Sequence, residues 1–122
     1  MAPAALRILE IELFERPVVL RLPFRFGVVT LTACPQAFVK VRIQTATGRE
    51  ADGAAAELLA PKWFDKNLTL SNDDNFDQLR ASLRLAREVY LSDHSARPAF
   101  QHFAAHHQGQ IDAADARAGS IP

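Results

Sequence analysis

Apolar side chains recur at every second position through the first part of the chain and at every third or fourth position from Phe76 onward. Leu9, Ile11 and Leu13 alternate with Glu10 and Glu12, the period of a strand with one face buried. The alternation breaks at Phe14-Glu15-Arg16-Pro17 and resumes in the opposite phase, with Val18, Leu20, Leu22, Phe24 and Phe26 on one side. A one-residue change of phase turns the apolar set to the wrong face of a straight strand. A bulge or bend is therefore expected near Arg16-Pro17, a place where proline is tolerated. Gly27 permits a sharp change of direction. Val28 to Ala33 leaves two readings open, a strand that continues the sheet or a hydrophobic flap.

Ala37, Val39, Val41 and Ile43 alternate with Phe38, Lys40, Arg42 and Gln44 and give the clearest strand. Thr45-Ala46-Thr47-Gly48 closes it, with Gly48 suited to a positive φ in a hairpin turn. A weaker third strand follows through Arg49 to Ala56, where Gly53 and the alanines leave room for a bulky neighbour. Val18 to Glu57 thus reads as strand, long loop, strand, tight turn, strand. Its projecting loop, Phe24 to Ala33, is apolar enough to need covering.

Leu58 to Leu70 is irregular, with Pro61, Trp63 and Phe64 as pinning residues. Ser71-Asn72-Asp73-Asp74 supplies N-cap chemistry for a helix running to about Leu91. Phe76, Leu79, Leu83, Ala86 and Tyr90 form its apolar stripe, and Arg80, Arg84 and Arg87 read as its solvated face. Ser92-Asp93-His94-Ser95 ends it. A second helix starts at Ser95 or Arg97-Pro98, with Phe100 and Phe103 as contacts, and is expected to end by Gly109. Residues 1–109 then make one domain, and residues 110–122 a tail or linker. The fold class is α+β, a three-stranded antiparallel meander followed by helices.

A chain of 122 residues with 48% apolar composition can bury a core of its own. Its 14 basic and 14 acidic residues cancel, so no long-range field attracts nucleic acid or anionic lipid, and neither is an expected partner. Cys34 is the one cysteine, which fits a reducing, cytoplasmic setting. The start lacks the pattern of a signal peptide, and no apolar run reaches the roughly 20 residues of a membrane span.

Catalytic apparatus is missing from this pattern, and no residue is assigned a catalytic or metal-binding role. His102 and His106 have the spacing of a shared metal site, but Phe103-Ala104-Ala105 between them lacks the glutamate of a zinc protease helix. No serine sits in a nucleophile turn, and Gly48, Gly53 and Lys62 do not make a phosphate loop. Cys34 beside Pro35 reads as a buried thiol, Glu57 as a surface or hydrogen-bonded carboxylate, and Trp63 as packing.

Arg7-Ile8 through Phe26-Gly27, Phe38-Val39-Lys40-Val41 with Thr47-Gly48, and Gly53 through Pro61 resemble the amino-terminal domain of the enolase superfamily. The likeness is to the mandelate racemase and muconate-lactonising branch. It spans about Leu6 to His107, is firmest from Leu20 to Phe64, and is carried by Pro23-Phe24-Arg25-Phe26-Gly27 and Pro61-Lys62-Trp63-Phe64. The resemblance implies a domain that caps a carboxy-terminal barrel. The barrel supplies an acid/base lysine or histidine and the carboxylates that hold Mg²⁺, and the substrate is a carboxylate deprotonated at its α-carbon. It further implies that substrate is capped by two segments. One is Phe24, Arg25, Phe26, Gly27, Val28, Val29 and Thr30. The other runs from Ala54 to Trp63 and includes Glu57, Lys62 and Trp63. Gly53-Ala54-Ala55-Ala56-Glu57 departs from the Gly-x-Gly-Glu of many members, and a barrel of around 250 residues does not fit after residue 109. The chain alone is therefore expected to be inactive. The alternative is a stand-alone interaction module or homo-oligomer that uses the apolar loop and sheet edge.

Overall fold

The computed structural model describes residues 3–119. Three strands, β1 (Leu6–Phe26), β2 (Val29–Thr45) and β3 (Glu50–Leu58), precede two helices, α1 (Asn72–Leu91) and α2 (Ala99–Gly119). The strands form one antiparallel sheet in the order β1-β2-β3. The architecture is α+β, and no barrel occurs among the described residues.

β1 is continuous, without a bulge at Arg16-Pro17. Arg16 pairs with Gln36 and Pro17 with Pro35. Neither proline has an N–H to place, so this pair lies in the ladder without leaving a donor unsatisfied. The two irregularities of the strand lie on either side of this segment. Leu9 is an extra residue between the pairs Ile8/Ile43 and Glu10/Arg42. Leu20 to Pro23 bulge between Val19/Ala33 and Phe24/Leu31, which Thr32 alone separates on β2.

The expected long loop from Phe24 to Ala33 is instead the closed end of a hairpin. Phe24, Arg25 and Phe26 pair with Leu31, Thr30 and Val29, and Gly27-Val28 make the turn, with Gly27 at φ 54°. The β-branched Val29, Thr30 and Thr32 favour extended backbone, and that preference decides between the two readings of this segment. β3 pairs with β2 from Gln36 to Gln44. The stretch of β2 from Val29 to Cys34 is thus paired with β1 alone, as a two-stranded arm. The other edge of β3 carries no strand among the described residues, and β3 is exposed from Glu50 to Glu57.

Leu31, Cys34 and Ala37 of β2 meet Leu59 and Phe76 in the core, with Leu20, Phe26, Leu58, Leu79 and Leu83 packed around them. Ser71 caps α1 in a reciprocal box. The Asp74 N–H donates to its hydroxyl at 3.0 Å, and its own N–H donates to the Asp74 carboxylate at 2.9 Å. Two of the arginines expected on a solvated face instead clamp α1 to β1. Arg80 donates to both carboxylate oxygens of Glu15 at 2.6 and 2.8 Å, and Arg87 donates to the Ile11 carbonyl at 2.7 Å.

α2 continues ten residues past Gly109, to Gly119. A helical glycine costs only about 1 kcal/mol, and Ala113, Ala114 and Ala116 are the best helix formers. Residues 120–122 of the expected tail lie outside the described residues. The start of β1 is tied to the chain before α2 by a pair of backbone bonds between Leu6 and Arg97, at 2.8 and 3.0 Å. No described helix is long and apolar enough to cross a membrane.

Candidate functional site

The chain leaves β3 as Leu59-Ala60-Pro61-Lys62-Trp63-Phe64, and its route is set by two buried residues. Pro61 is completely enclosed. Lys62 is buried with φ 62°, in the left-handed region that side chains with a Cβ seldom occupy. Its ammonium Nζ donates to the Leu70 carbonyl at 2.6 Å and to Asn75 Oδ1 at 2.7 Å. A buried charge needs such partners, and they hold the turn in spite of its strain.

That turn sends Trp63 outward, where it is 60% exposed. Its ring meets Phe26 edge to face at 5.6 Å, and Phe26 meets Phe24 at 5.6 Å. The hairpin tip and the loop after β3 thus form one aromatic rim. Beside it lies an open groove of about 710 Å³. Ala37, Val39 and Ala55 of the sheet floor it, Leu83 and Ala86 of α1 wall it, and Trp63 ends it. Glu57, Ser82 and Gln110 are its polar groups. The groove has room because β3 contributes Ala55 and Ala56 where a larger side chain would fill the space.

Phe24, Phe26 and Trp63 are brought together by ring contacts. Glu57 is exposed opposite Ala37 and reaches the groove. Gly27 makes the turn, and Arg25 and Thr30 pair across the hairpin with both side chains in solvent. Val28 and Val29 part company. Val28 stands 75% exposed at the tip, whereas Val29 is 7% exposed and packs inward. Val29 therefore belongs to the interior and not to a capping surface. Lys62 is likewise withdrawn, since Leu70 and Asn75 occupy it. Leu83 and Ala86 were legible only as members of a helix, because their part in the groove depends on how α1 crosses the sheet.

Two histidines tie α2 to the start of β1 and to the segment after α1. His102 Nε2 donates to the Leu6 carbonyl at 2.8 Å, and His106 Nε2 donates to the Asp93 carboxylate at 2.7 Å. Arg97 Nε and the Ser95 N–H also donate to Asp93, each at 2.9 Å. Among the described residues, no three His, Cys, Asp or Glu side chains are grouped to hold a metal ion. The Cys34 thiol is buried, and burial pushes its pKa up, away from the reactive thiolate.

Comparison of the chain with protein-family models, with curated proteins and with solved structures finds no match.

Proposed function

We propose that this chain is the substrate-capping domain of an enolase-superfamily enzyme of the mandelate racemase and muconate-lactonising branch, and that it has no turnover by itself. One observation carries the reading, the edge-to-face contact of Phe26 with Trp63. It joins the two segments that the resemblance assigns to capping, and it places them beside an apolar groove with a carboxylate, Glu57, at its margin. An aromatic rim of this kind excludes water from a substrate held beneath it, which strengthens every charge interaction there. Its contribution is closure and selection, not proton transfer.

Proton abstraction next to the substrate carboxylate falls to a barrel, which supplies the lysine or histidine base. The resemblance assigns the Mg²⁺ ion to that barrel as well. A buried, unpaired Cys34 supports a cytoplasmic setting.

The test begins with the DNA beyond the Pro122 codon, where alternating strands and helices bearing a lysine pair and spaced carboxylates are expected. In the complete enzyme, Trp63→Ala raises KM for bulky apolar carboxylates by about tenfold and leaves kcat within about twofold. Mg²⁺-dependent turnover of an α-hydroxy acid by this chain alone overturns the proposal.

A further inference from the structure

α2 is packed on its less apolar side. His102 is buried and His106, Gln110 and Ala113 are half-buried, at spacings of four, four and three. The exposed side carries Phe100, Phe103, His107, Ile111 and Ala114, which repeat at three, four, four and three and form one continuous stripe. Phe100 is 72% exposed, Phe103 46% and Ile111 41%. The rings of Phe100 and Phe103 lie 5.8 Å apart, and those of Phe103 and His107 4.8 Å. The stripe is therefore preassembled along the helix.

Two features of the helix select its partner. The first is size. The stripe is large at its N-terminal end and small at its C-terminal end. A second copy of the same helix, antiparallel and centred on His107, sets Phe100 against Ala114 and Phe103 against Ile111. A parallel copy sets ring on ring at one end and leaves a gap between alanines at the other. The second feature is charge. The first turn of α2 has no acidic residue, whereas Asp115 lies close to its C-terminal end at Gly119, the end where a negative charge is less favoured. In the antiparallel pair Asp115 comes level with Ala99 of the other copy. Each helix then provides the negative charge that the other's N-terminus lacks.

We infer that α2 is a self-association surface, on which two copies of this chain pair as an antiparallel, two-fold helix pair centred on His107. The partially exposed rings and Ile111 supply about 300 Å² per copy, at ~200 Å² for a whole aromatic side chain. That is well below the about 800 Å² per partner of a standard interface, so the pair is weak and forms with rising concentration. The surface is separate from the hairpin tip and Trp63, so this inference stands or falls independently of the capping function.

The experiment is sedimentation of the full chain over a concentration series reaching the millimolar range, with single-cysteine crosslinking. The wild type is expected to pass from monomer to dimer. Phe100→Glu and Ile111→Glu, both at exposed positions, are each expected to weaken dimerisation at least tenfold while circular dichroism stays unchanged. Under mild oxidation His107→Cys is expected to form a disulfide-linked dimer. Phe100→Cys is not, and Cys34 is buried and gives no background. A wild type that stays monomeric throughout overturns the inference and leaves the stripe to a different protein. A dimer that survives both glutamate variants, crosslinking through Phe100→Cys, or failure of His107→Cys to crosslink also overturns it.

Discussion

The Lys62 ammonium donates to the Asn75 side-chain oxygen at 2.7 Å, and the Asn75 amide in turn donates to Gln78 Oε1 at 2.8 Å. A turn in the loop after β3 is thereby fixed to the first turns of α1. Trp63 follows Lys62 directly, so the place of the indole on the rim depends on hydrogen bonds that it does not itself make.

Lys62→Met removes both of the bonds made by Nζ and leaves Asn75 Oδ1 and the Leu70 carbonyl without this donor. The expected loss of stability is about 2 kcal/mol. Urea denaturation measures it. The emission of Trp63, the chain's one tryptophan, is expected to change even in the folded variant, because the loop loses its anchor.

At the hairpin tip the cost of substitution is conformational. Gly27 has φ 54°, and a Cβ added there meets nothing within 4 Å. Gly27→Val is therefore expected to cost about 1–2 kcal/mol through backbone strain alone. Gly27→Asn is expected to cost less, since asparagine tolerates this region. Thermal unfolding of the two variants checks the order.

Asp93 gives the fold an acid-sensitive joint. The N–H and hydroxyl of Ser95 hold its carboxyl well below the ordinary aspartate value of 3.8, and the His106 and Arg97 hydrogen bonds add to the effect. A folded-state value that is depressed contributes stability that is complete above the unfolded value and is lost as the pH falls through the folded one. The urea midpoint of the wild type is thus expected to fall more steeply below pH 3.8 than that of Asp93→Asn. A series of denaturation curves from neutral to acid pH measures the difference.

Trp63→Ala separates the rim from the core. With 60% of the residue already in water, the indole contributes about 2 kcal/mol to folding. The groove beside it, however, loses its end wall. Binding of an apolar fluorescent dye such as anilinonaphthalene sulfonate is expected to weaken several-fold in Trp63→Ala, measured under conditions where the variant remains folded.

The periodicities that mark strands and helices carried most of the architecture. Alternation at Ala37 to Ile43 and the three-and-four spacing of Phe76 to Tyr90 are local signals, and both elements stand where they predict. Gly48 at φ 85° is read as easily, because a tight turn demands it. The hairpin end was ambiguous because Val28 to Ala33 directly follows the turn signal of Gly27, although Val29 and Leu31 alternate with Thr30 and Thr32. The end of α2 was misjudged because Gly109 resembles a stop signal locally, whereas the alanines beyond it sustain the helix. The meeting of Phe26 with Trp63 and the burial of Lys62 have no local signature at all. Both are set by how a twisted arm and a loop return to the same side of α1.

The free side of β3 has a consequence for the chain in a crowded solution. A stretch of unpaired backbone donors and acceptors can recruit foreign strands, and durable fibrils need dry interlocking of side chains as well. Gly53-Ala54-Ala55-Ala56 presents the hydrogen-bonding groups with almost nothing to interlock, and these residues are weak strand formers away from β2. The domain thereby carries an open template that is poorly suited to nucleating amyloid.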